Sequence, residues 1–216
     1  MTINCSPQPP LEVYGQPIKN VTNFRYLGSM MASSKNDLTR RRALAWTAFW
    51  KLQKIWSSTS LPTSTKIKLF NVTCVPVLLY GCECWVLSSD MENKINSFAT
   101  SCYRIMLNIK RLQRVSNSEI YRVTNTQPLI CKVRQRQLRF IGHALRMPLE
   151  EPLRTYALYV PSHGKRRPGR QKTNYLTYIQ NLLGDAEGDL NPTAIAALAA
   201  DRLRWNKIVT DCTAAD

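Results

Sequence analysis

The segment from Pro128 to Arg146 is compatible with one regular conformation. Its basic side chains Lys132, Arg136, Arg139, His143 and Arg146 recur at spacings of 4, 3, 4 and 3, which at about 100° per residue gathers them into an arc of roughly 80°. Val133, Phe140, Ile141, Ala144 and Leu145 fall on the opposite side. A strand would scatter both sets over its two faces, so the pattern predicts a helix with an apolar face inward and a basic row outward. Like charges at these spacings repel, and no carboxylate occurs between residues 120 and 149 to relieve them. A solvated face would carry mixed signs; this row points to an anionic partner. Arg134 falls on the apolar side with no partner legible in the sequence.

The chain as a whole carries the same bias. It has 30 Lys+Arg against 14 Asp+Glu, a formal charge of +16. That excess cannot be neutralised internally, and a polyanion answers it: neutralising phosphates releases condensed counterions and supplies most non-specific nucleic-acid affinity. A membrane surface would serve electrostatically, but the longest clean apolar run, Val77-Leu78-Leu79-Tyr80, is far short of a span. The N-terminal residues have neither a basic region nor an apolar signal core, so the expected location is nuclear or cytoplasmic and not secreted. Hydrophobic residues at 44% of 216 are enough for one full-sized domain or two small ones.

Seven cysteines form an odd set in which Cys82-Glu83-Cys84 is the single close pair. One intervening residue is tighter than zinc-knuckle spacing, and neither His143 nor His163 lies at knuckle distance from a pair. Reduced, mostly buried thiols are expected, with no metal site and no cofactor.

The fold class read from the pattern is mainly α, with a short N-terminal β-hairpin, a helical bundle and a basic helical extension. Leu11–Tyr14 and Ile18–Tyr26 flank Gly15-Gln16 as a hairpin. Beyond Gly28, Leu38, Ala45, Phe49, Leu52 and Trp56 share one helical stripe, with Trp46 and Trp50 at its edge. Leu61-Pro62 opens a second helix, kinked at Pro76 and ended by Gly81. Ser89 with Glu92 predicts a capping box for a third, whose apolar face is Ile95, Phe98, Cys102, Met106 and Ile109. Ser116 with Glu119 predicts a short helix to Thr124. Later helices are predicted over 175–183 and, capped by Asn191 with Pro192 in first position, over 193–209.

The stretch 161–173 cannot pack and reads as an exposed basic loop. Its Lys165, Arg166, Arg167, Arg170 and Lys172 suit either a phosphate-binding arm or a nuclear-localisation patch, and the sequence does not separate the two. Five tryptophans suggest base-stacking platforms, but periodicity places most of them inward; Trp50, beside Lys54, is the stacking candidate. Catalytic constellations are thin. Asp185, Glu187 and Asp189 cluster in a turn, where a two-metal polymerase centre needs carboxylates held by a rigid sheet. His143 has no nucleophile or orienting carboxylate implied by spacing.

Taken in order across residues 11–209, several segments resemble the C-terminal part of LINE-type non-LTR retrotransposon reverse transcriptases. They are Phe24-Arg25-Tyr26-Leu27-Gly28-Ser29, Ala45 to Leu52, Pro76 to Trp85, Arg139 to Met147, Gly169-Arg170 and Asp201 to Trp205. The resemblance implies that residues 1–30 are a palm remnant whose Phe24, Tyr26, Leu27 and Gly28 stand at the primer grip. It implies a thumb over 31–124 and, over 125–216, an extension that binds RNA or an RNA/DNA duplex through the backbone. Gln171 and Tyr175 depart from the family's usual proline and tryptophan. No Asp-Asp pair occurs, so the family's metal-binding polymerase motif is absent and no enzymatic activity is expected. The chain reads as a catalytically inert, nucleic-acid-binding remnant. The alternatives are a module supplying a thumb to a separate polymerase palm, or the non-functional product of a truncated element.

Overall fold

The structure is a computed structural model describing residues 12–18, 21, 24–30, 33–159, 174–184 and 191–214, the last three by backbone alone. The described chain is mainly α-helical, with two short antiparallel strand pairs near its N-terminus.

The single expected hairpin is two. Strand β1 (Glu12–Val13) pairs with β2 (Gln16–Pro17), and β3 (Arg25–Tyr26) with β4 (Ser29–Met30). Each loop has two residues at positive φ, Tyr14-Gly15 and Leu27-Gly28, the mirror-image turn that matches strand twist. The first turn therefore sits one residue earlier than the expected Gly15-Gln16. The second is pinned from outside: the Leu27 carbonyl accepts from the Tyr80 hydroxyl at 2.8 Å, and the Gly28 carbonyl from Arg40 and Arg41 at 2.9 and 2.6 Å.

The stripe from Leu38 to Trp56 belongs to two helices, α1 (Ser34–Trp50) and α2 (Gln53–Ser57). Continuing α1 would require the Phe49 carbonyl to accept from Gln53. That carbonyl is taken instead by the Leu52 amide at 3.0 Å and the Trp56 indole at 2.6 Å. Trp56 thereby folds back to stack on Phe49, ring centroids 5.0 Å apart.

Helix α3 (Thr63–Thr73) follows Pro62, and α4 (Val75–Leu78) restarts around Pro76, which has no N–H to give the preceding turn. Gly81 then turns the chain at φ 72°, and a Cβ there would stand 2.7 Å from the Ser29 hydroxyl. After a 3-10 turn at Cys82–Cys84 comes α5 (Ser89–Met106), which buries Ile95, Phe98, Cys102 and Met106 as expected. Its cap differs: Ser88 is the cap residue, and neither Ser88 nor Ser89 caps through a side chain. Glu92 turns away to meet Arg134 at 3.2 Å. Helix α6 (Asn117–Thr124) does start on Ser116, whose hydroxyl accepts from the Glu119 amide.

Helices α7 (Leu129–Leu145), α8 (Pro152–Ala157) and α9 (Tyr175–Leu183) follow; no signal in the sequence pointed to α8. The last predicted helix is two, α10 (Pro192–Ala200) and α11 (Arg202–Ala214). Asn191 caps α10. Asp201 leaves helical geometry, and its carboxylate accepts from the amides of Leu203 and Arg204 at 3.0 and 3.1 Å. This new cap turns Trp205 inward, to 2% exposure. One hydrophobic cluster runs from Leu38 and Phe49 through Phe98, Ile141 and Ile179 to Trp205 and Val209. No helix among the described residues is long and apolar enough to cross a membrane.

Candidate nucleic-acid interface

Helix α7 is the central element. Val133, Ile141, Ala144 and Leu145 are buried, and Phe140 is half-buried, so the apolar side read from periodicity lies inward. Two further residues, illegible in the pattern, fix the helix in place. Gln137 is wholly buried; its amide donates to the carbonyls of Cys82 and Trp85 at 2.9 and 2.8 Å and accepts from the Tyr178 hydroxyl at 2.8 Å. Gly142 lies directly under Trp205, whose indole N–H donates to the Leu138 carbonyl at 2.9 Å. A Cβ on Gly142 would come within 2.2 Å of the indole nitrogen, so only glycine admits this approach.

The basic row lies on the outer side, but its members are not equivalent. The Lys132 amine donates to Asn71 at 2.7 Å; desolvation there, with repulsion from Arg136, lowers its pKa. Arg136 donates to the Leu79 carbonyl at 3.0 Å and stands 3.9 Å from the Glu83 carboxylate. Arg146 donates to the Ala199 carbonyl at 2.9 Å, tying α7 to α10. Arg139 and His143 are exposed, and their side chains make no hydrogen bond or ion pair among the described residues. The row expected to face outward thus consists of two exposed groups without internal partners and three that also bond within the fold. Carboxylates from other elements share the load: Glu83 faces Arg136, and Glu92 takes Arg134 at 3.2 and 3.3 Å. That pair accounts for Arg134 on the inner side.

At the N-terminal end, Phe24, Tyr26 and Leu27 are exposed, while the turn's carbonyls face the helices. Beneath them Asp37, 1% exposed, accepts from the Met30 amide and the Trp85 indole, each at 3.0 Å. Arg41 lies 3.9 Å from Asp37 and over the Tyr80 ring at 4.1 Å. Burial lowers its pKa and Asp37 opposes that shift. A groove of about 730 Å³ runs between Tyr26 and Leu27 of the hairpin, Tyr80, Glu83 and Arg136. It brings the hairpin tip and the first part of the α7 row to one opening, a juxtaposition with no sequence signal.

Trp50 is 47% exposed, whereas Trp56, Trp85 and Trp205 are buried. It stacks on Trp46 at 6.2 Å and borders a groove of about 560 Å³ shared with Lys66 and Leu107. Lys165, Arg166, Arg167, Arg170 and Lys172 lie outside the described residues, as do Asp185, Glu187 and Asp189. Cys74, Cys82, Cys102 and Cys131 are buried and Cys84 is exposed. Among the described residues no three His, Cys, Asp or Glu side chains converge as a metal site.

Comparison with known proteins adds one connection. Along 215 residues the chain is 23% identical to a Caenorhabditis elegans protein described as uncharacterized and transposon-derived, covering 93% of this chain and 76% of that one. The link is to transposon-derived sequence. Residues 48–80, from the end of α1 through α4, match a domain of unknown function, DUF6451. No solved structure matches the chain.

Proposed function

We propose that the chain binds RNA or an RNA/DNA duplex through phosphate contacts, as the catalytically inert C-terminal part of a non-LTR reverse transcriptase. The supporting observation is Arg139 with His143: two outward groups without internal partners, on a helix whose inner face is fixed by Gln137 and Gly142. A rigid helix presenting unpaired donors at a net charge of +16 is suited to a polyanion, because charge-assisted contacts form without ordering the protein first. The transposon-derived relative and the segments resembling the thumb agree with this reading. Without an Asp-Asp pair in the chain, the role is binding and not nucleotide transfer.

Titration of the protein with single-stranded RNA, RNA/DNA hybrid and DNA duplex at several salt concentrations tests it. The expected result is sequence-independent binding whose affinity falls linearly on a log–log plot, by about 0.7–0.9 per phosphate contact. Binding that ignores salt, or no binding at low salt, contradicts it.

The second reading, a thumb supplied to a separate palm, is favoured by Phe24, Tyr26 and Leu27, which stand exposed on a latched hairpin. Primer extension by a palm fragment, with and without this chain, tests it. Stimulation supports a partner role, and an unchanged rate removes it. The chain alone is expected to synthesise no DNA with magnesium or manganese.

A further inference from the structure

Where α11 crosses α7, the last two members of the basic row meet residues from a second helix. A cavity of about 380 Å³ is lined by His143, Arg146 and Met147 from the end of α7 and by Arg202 and Asn206 from α11. Four of these five side chains can donate hydrogen bonds, and no carboxylate lines the cavity. Arg202 and Asn206 are four apart and so share one face of α11; His143 and Arg146 are three apart and share one face of α7. The two faces meet at a fixed distance, because Trp205 lies buried against Gly142 and donates to the Leu138 carbonyl. Arg146 spends one amine of its guanidinium on Ala199, which orients the group and leaves its other N–H donors available. His143 and Arg202 are exposed, and their side chains have no partner among the described residues.

Two guanidiniums held near each other repel unless an anion lies between them. A planar carboxylate is satisfied by one arginine fork. Donors that arrive from two helices and include an amide and an imidazole match a tetrahedral anion, whose oxygens diverge. We propose that His143, Arg146, Arg202 and Asn206 form a seat for one phosphate group. The proposal rests on the nucleic-acid reading for its source, a backbone phosphate of a bound strand. His143 also lies four residues from Arg139, about 6 Å along the helix, so a strand seated here would continue over Arg139.

The test uses the full chain and two probes. The first is inorganic phosphate at constant ionic strength, read by the His143 imidazole resonances, which His143→Gln identifies. The second is single-stranded RNA and RNA/DNA hybrid, read by the salt dependence of affinity. Arg202→Gln removes one cation, and Asn206→Asp sets a carboxylate in the seat should the first variant fold poorly. The expected result is a saturable phosphate-induced shift at His143 that is lost in either variant, with a salt slope lower by about 0.7–0.9 in Arg202→Gln. If strands bind, the variants keep the wild-type slope and phosphate leaves His143 unmoved, the seat is refuted while the nucleic-acid reading stands. If phosphate moves His143 but no strand binds at any salt, the nucleic-acid reading falls and the seat belongs to a free phosphate or phosphomonoester. If both probes bind and only the slope is unchanged, the strand is excluded as the source.

Discussion

Arg139 and Gln137 stand two residues apart on α7, yet substituting them has opposite consequences. Arg139 has no partner among the described residues, so Arg139→Gln is expected to change stability by no more than about 0.5 kcal/mol. Gln137→Leu removes the Gln137 bonds to the Trp85 carbonyl and the Tyr178 hydroxyl, both buried, while the Cys82 carbonyl keeps the Trp85 amide. At about 1–3 kcal/mol for each orphaned buried group, the loss is expected to reach at least about 2 kcal/mol in urea unfolding. A loss below 1 kcal/mol would mean that Gln137 does not anchor the helix. Gly142→Ala is a separate probe of the α7–α11 contact. The new methyl meets the indole of Trp205, and overpacking of this kind costs typically about 1–3 kcal/mol. Neutral behaviour would show that α11 shifts freely on α7.

At the scale of elements, what was legible in the sequence was periodicity, and what was not was competition for backbone groups. The inner face of α7 and the span of α9 follow from apolar spacing, which records burial directly. The break in α1–α2 does not, because apolar spacing continues across it while the Trp56 indole captures the Phe49 carbonyl. Asp201 was likewise readable as an ordinary helix residue, and its capping of Leu203 and Arg204 emerges only once Trp205 has a glycine to lie on. The basic row was legible as a row, but Asn71, Leu79 and Ala199, which engage three of its members, lie 61, 57 and 53 residues away. Arg202 and Asn206 gave no signal, being placed beside His143 by that same crossing. The hairpin latch makes a prediction of its own. Asp37→Ala leaves Arg41 buried without its carboxylate and Trp85 without an acceptor. Breaking a buried pair from one side costs about 3–5 kcal/mol, and amide exchange at Met30, whose N–H bonds to Asp37, should quicken well beyond that of α7. Equal protection in both would detach the hairpin from Asp37.

For the whole molecule, the buried thiols and phenols set a limit on the alkaline side. Desolvation is the main cause that raises Cys82 from 9.0 to about 12 and Tyr103 from 10.0 to about 12. Both groups stay neutral in the fold after the unfolded chain has ionised. Their contribution is therefore complete below about pH 9 and is lost as pH rises from there toward 12, by up to about 1.4 kcal/mol per pH unit for each group. Chemical denaturation at pH 8, 9.5 and 11 should show stability falling across that window; a flat profile would contradict the burial of these side chains. Alkylation at pH 8 should mark Cys84 ahead of Cys74, Cys82, Cys102 and Cys131.

The central claim is that the outward face of α7 carries phosphate contacts, and the salt dependence of affinity in Arg139→Gln tests it most directly. The account predicts a folded variant whose log–log slope on RNA/DNA hybrid is lower than wild type by about 0.7–0.9, with binding weakened alike for all sequences because phosphates carry no base identity. A folded variant with the wild-type slope would place the nucleic acid elsewhere on the molecule.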